Sequence, residues 1–162
     1  MDEDDAAWNQ RMRGETVIQR LDRNWASLLQ ELRVLQTGVQ VLTGFLLTLP
    51  FQSRFDTLST SLRVVYLVVV TAAIAATALL VAPVAIHRLL FRRHRLDVLV
   101  SGAHRLALAG IALLGIALTG MAVLIFDMVV GTTAGVIAGV VAALLFVSVW
   151  WVQPLLYRNG KR

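Results

Sequence analysis

Four stretches of this chain carry no charged side chain: residues 34–53, 64–86, 106–126 and 128–157, of 20, 23, 21 and 30 residues. A bilayer core about 30 Å thick is crossed by roughly 20 apolar residues in a helix. The first three runs are each one span. The fourth is too long for one, and Gly131-Thr132-Thr133 supplies turn chemistry near its start. The pattern predicts an all-α membrane protein with spans at about 34–52, 64–86, 106–127 and 133–157. The alternative, a soluble four-helix bundle, needs a polar outer face on every helix. The 64–86 run holds twelve Val, Leu or Ile residues and only Thr71, Thr77 and Tyr66 as polar groups. The whole chain is 57% hydrophobic and 15% charged, well away from the roughly 45–50% and 25% of soluble domains. The polar, charged start of the chain has no apolar core of a signal peptide, so no cleavage is expected.

Charge sets the expected orientation. Thirteen of the fifteen Lys and Arg residues flank the membrane on one side: before the first span, between the second and third, and after the fourth. Only Arg54 and Arg63 fall on the other. By the positive-inside rule both termini and the central loop are cytoplasmic. The same imbalance speaks against insertion both ways up, and assigns the basic character to membrane topology rather than to nucleic-acid binding.

Residues 1–14 read as a flexible acidic tip built on Asp2, Glu3, Asp4 and Asp5, and 15–162 as one membrane domain. Within it, Val17, Ile18, Leu21, Trp25, Leu28, Leu29 and Leu32 recur at three- and four-residue spacing. This predicts an amphipathic cytoplasmic helix over about 15–33, with Arg20, Asp22, Arg23, Asn24, Gln30, Glu31 and Arg33 opposite. It lies on the membrane or continues into the first span. Its charges cancel, whereas helices that seek anionic lipid are clearly basic. Docking on the chain's own cytoplasmic loop or on a partner is therefore favoured.

The loop at 87–105 begins helical, and Ser101-Gly102 is expected to break it before the third span. Its Arg88, Arg92, Arg93 and Arg95 either snorkel as anchors or form a pocket for anionic lipid head groups. His87 and His94 have only Asp97 near them, so no metal site is expected.

Inside the membrane the first span is the odd one. Gln36, Thr37, Gln40, Thr43, Gly44 and Thr48 make one stripe at helical spacing. An amide in hydrocarbon needs a partner. The stripe is either a set of interhelical hydrogen bonds or a polar track for an ion, proton or small solute. No span holds an acid at depth; Glu31 and Asp127 are boundary residues. In the last span Gly135, Gly139 and Ala143 form a small-residue ridge for close helix packing, with Trp150, Trp151 and Tyr157 as an aromatic belt. Gly110, Gly115 and Gly120, five apart, form no single ridge. Pro83 is expected to kink the second span and Pro50 to close the first.

No catalytic motif and no cofactor motif is present, so an enzyme is not expected. The partners expected are the lipid bilayer and further copies of the chain or a larger membrane complex. The first functional expectation is a non-enzymatic membrane module that self-associates or joins such a complex through the glycine ridge and the amphipathic helix. The second is a small cation or proton transporter or channel subunit using Gln36, Thr37, Gln40, Thr43 and Thr48.

The blocks Leu28-Leu29-Gln30-Glu31-Leu32-Arg33-Val34, Gln36-Thr37-Gly38, Gln40, Phe45 to Phe51 and Arg54-Phe55, with Ala82-Pro83-Val84 and His87-Arg88, resemble an uncharacterised bacterial family of small four-span membrane proteins. The resemblance covers roughly residues 25–157. It implies the four-span fold in a bacterial inner membrane. The label sodium:proton antiporter often attached to that family implies transport, although no paired intramembrane acids stand in this sequence to carry it.

Overall fold

The computed structural model describes residue 14, residues 16–90 and residues 96–159; the side chains at 17, 18, 21, 87–90, 96–101 and 157–159 fall outside that description. The described chain is helical throughout. Helix α1 spans Val17–Thr48, α2 Thr60–Leu90, α3 Leu96–Val129 and α4 Thr132–Val147. A π-helical turn, Ser148–Val152, joins α4 to a short α5, Gln153–Asn159. Four stretches are long and apolar enough to cross a membrane: Asp22–Phe51, Thr60–Ile86, Gly102–Val129 and Thr132–Leu156. Closing every backbone hydrogen bond within a helix is what lets a chain cross lipid.

Helix α1 is one unbroken rod of 32 residues, about 48 Å at 1.5 Å per residue. The amphipathic segment therefore runs straight into the first span. Thr16 starts it with a reciprocal cap: its Oγ1 accepts from Gln19 N–H, and the Gln19 side chain accepts from Thr16 N–H at 2.9 Å. Pro50 ends it in a 3-10 turn, Leu49–Phe51. The rod outreaches the hydrocarbon layer, and its projecting part docks on the chain itself. Trp25 is buried with Ala103 of α3, and Leu28, Leu29 and Ile86 pack around them. Arg20, expected on the polar face, is instead buried, in the first turn after the Thr16 cap.

The expected break at Ser101-Gly102 is absent: α3 runs through both residues. A lone glycine weakens a helix without stopping it. The start of α3 is held by Ala103 against Trp25, and a continuous helix is what brings Ala103 there.

Helices α2 and α3 form the centre. A third of the α2 window is buried (33%), against 11% for α1 and for α4. Apolar burial alone does not drive association between helices already in lipid, so close packing must. Ala73, Ala76 and Ala117 are wholly covered, and Gly110 faces the Leu80 side chain and the Ala76 carbonyl so closely that a methyl group there would overlap Leu80. Gly120 is as tight against Val69, whereas Gly115 faces Trp150. The three glycines thus serve two neighbours, as their spacing predicts.

The α3–α4 hairpin turns at Gly131, whose φ of +123° only glycine adopts without strain. Val130 and Gly131 N–H groups both donate to the Phe126 carbonyl, closing α3.

Candidate functional site: the outward face of the first span

The stripe read from the sequence divides in two. Gln36 is half-buried, and its Nε2 donates to the Leu80 carbonyl of α2 at 2.9 Å. That acceptor lies in the turn disturbed by Pro83, which is buried in α2. Proline has no N–H, so the carbonyl four residues earlier loses its helical donor and the local ladder opens. Gln36 supplies a donor beside that gap. Here the amide is an interhelical tie.

The threonines satisfy themselves. Thr37 Oγ1 donates to the Arg33 carbonyl at 3.0 Å, Thr43 to Val39 at 2.8 Å and Thr48 to Phe45 at 2.7 Å. A hydroxyl bonded back to its own helix asks nothing of its surroundings.

Gln40 differs. It is exposed, and its amide has no hydrogen bond among the described residues. It sits within about one turn of the centre of the 34–51 apolar run, at 1.5 Å per residue. Around it Thr37, Gly38, Gly44 and Thr48 are exposed as well. A Cβ built on Gly38 or Gly44 meets nothing within 4 Å, so packing inside this chain does not require either glycine.

The other flanking helix gives the contrast. α4 is as little buried as α1, yet its outer surface is Val136, Ile137, Val140, Val141, Leu144 and Leu145. That is a surface made for acyl chains. The outer surface of α1 mixes an unpaired amide, two glycines and two threonines with Val41, Phe45 and Leu47.

The glycine ridge is occupied within the chain. Gly135 is buried against Asp127 and the Val123 carbonyl, where an added Cβ would lie 2.9 Å and 3.0 Å away, and Gly139 is buried against Val123. Ala143 lines a groove of about 350 Å³ beside Gly115, Phe146 and Trp150. The ridge therefore cannot be the outer contact surface that the first functional expectation assigned to it. Sequence alone could not say which neighbour covers it.

Of the boundary acids, Glu31 is exposed and accepts from Ser27 Oγ at 3.4 Å; Asp127 is half-buried in the last turn of α3, against Gly135. Arg92, Arg93 and Arg95 lie outside the described residues, as do His94 and the side chains of His87, Arg88 and Tyr157. Among the described residues no group of three His, Cys, Asp or Glu converges as a metal site.

No curated protein and no solved structure matches the chain. A family model does, over residues 14–154, from the start of α1 to the beginning of α5. That match carries no activity, and the antiporter label implied by the resemblance is no part of it. Spanning nearly the whole chain, the match means that this protein belongs to DUF6328, a family of unknown function.

Proposed function

We propose that the protein is a non-enzymatic membrane module that associates with copies of itself through the outward face of α1. The observation that carries the reading is Gln40: an amide near the middle of the apolar run with no partner among the described residues. Leaving such a group in hydrocarbon costs several kcal/mol, in the range of about 4–8 kcal/mol for transfer to an alkane. A carboxamide both donates and accepts, so two copies related by a two-fold axis along the membrane normal can pair Gln40 with Gln40. Gly44, one turn away, lets the two backbones approach. In this reading the protein resides in the bacterial inner membrane with both termini in the cytoplasm, as its arginine distribution favours.

The test is energy transfer between donor- and acceptor-labelled copies in liposomes, over a range of protein-to-lipid ratios. Wild-type protein should associate. Gln40→Leu should weaken association about three- to thirty-fold, the equivalent of about 0.6–2 kcal/mol for an interhelical hydrogen bond in lipid. A wild-type chain that stays monomeric at every ratio would defeat the proposal. The second expectation, a cation or proton pathway, requires the same face to line an axis. Sodium, potassium or proton flux that Gln40→Leu abolishes without changing association would replace the first reading with the second.

A further inference from the structure

The loop end of the bundle holds a half-open cavity of about 320 Å³, remote from the α1 face. Its apolar lining is Leu49 from the 3-10 turn after α1, Leu58 from the connecting loop, and Leu124 and Met128 from the last turns of α3. Its polar side comes from one short run, Gln52, Ser53 and Arg54. The back wall is rigid. Tyr66 donates its hydroxyl to the Leu46 carbonyl at 3.0 Å, and Phe55 packs edge-on against the Tyr66 ring at 5.1 Å.

Two arginines stand at this end of the molecule, and they are used differently. Arg63 is tied down, donating to the Asp56 carbonyl at 2.9 Å. The Arg54 carbonyl accepts from Thr57, but its guanidinium has no hydrogen bond or ion pair among the described residues, and Arg54 borders the cavity. The cavity lies at the ends of three candidate spans, which stop at Phe51 and Val129 and begin at Thr60.

We propose that this cavity binds an anionic single-chain amphiphile of the fatty-acid type, with its carboxylate on Arg54 and its chain across Leu58, Leu124 and Met128. Charge complementarity selects the head, since a guanidinium fork matches a carboxylate. Size selects the tail: about 320 Å³ lies at the low end of small-molecule pockets, roughly 300–1,000 Å³, which leaves room for one chain and not two.

The experiment uses the full chain in phosphatidylcholine nanodiscs, with dansyl-labelled undecanoic acid as probe and empty nanodiscs as the blank. Undecanoate and undecanol serve as competitors. Wild-type protein should bind the probe above the blank and release it to undecanoate at lower concentration than to undecanol. Arg54→Gln should weaken probe binding about ten-fold, the scale of one lost charge-assisted hydrogen bond, and leave displacement by undecanol unchanged. Leu58→Trp, which fills the cavity from a half-buried loop position, should remove binding. Arg63→Gln should bind like wild type. Equal binding by wild type, Arg54→Gln and Leu58→Trp would overturn the proposal, and so would undecanol competing as well as undecanoate. None of these readouts depends on self-association.

Discussion

At the scale of single residues, Gln36 and Gln40 of α1 do opposite things four positions apart. Gln36 is a tie to α2, and the Gln40 amide has no bond among the described residues. Substituting each by leucine should therefore separate stability from assembly. Gln36→Leu removes the tie between α1 and the Leu80 carbonyl of α2, so unfolding in mild detergent should become easier by about 1–2 kcal/mol. Gln40→Leu should leave the unfolding midpoint unchanged or raise it. Thermal melts of the two variants in the same detergent check this, and equal losses in both would mean the structure has misassigned the amides. Periodicity made both visible as a stripe. It could not separate them, because residues four apart differ by only about 40° around a helix. The border between the covered and open arcs of α1 passes between them. Arg20, placed on the polar face by its spacing, is buried all the same.

At the scale of elements, the four spans were legible because charge is so costly in hydrocarbon that its absence marks each helix directly. Ends were harder. The start of α3 was hidden behind Ser101-Gly102, since a local breaker signal was outweighed by the packing of Ala103 on Trp25. Nothing in the sequence flagged the π-helical turn at Ser148–Val152. Such a turn inserts one residue into the ladder and re-aims the side chains after it. Here it accompanies Trp150 lying over Gly115, with its ring centroid 4.8 Å from that of Phe146 and the two planes inclined at 41°. Trp150→Ala should cost about 2 kcal/mol, below the 3–5 kcal/mol of a fully buried aromatic because Trp150 is only half-buried. It should also enlarge the groove next to Ala143. Loss of intrinsic fluorescence shift on unfolding, together with the melting temperature, measures this; an unchanged melt would mean the indole merely lies on the surface.

At the scale of the whole molecule, the alternation of four spans puts residues 52–59 and 130–131 at one end and, among the described residues, the start of α1, the end of α2, the start of α3 and α5 at the other. The chain has no cysteine, so a single introduced one is an unambiguous reporter. In intact bacterial cells, Ser53→Cys should react with a membrane-impermeant maleimide and His104→Cys should react only after lysis. The reverse pattern would invert the proposed orientation.

The unbroken length of α1 joins those two ends mechanically. With no hinge between its Thr16 cap and Pro50, the rod can roll about its axis only as a single piece. A neighbour that turned α1 at Gln40 would therefore have to shift the Gln36 tie to α2 and, about 22 Å along at 1.5 Å per residue, the seat of Trp25 on Ala103 together.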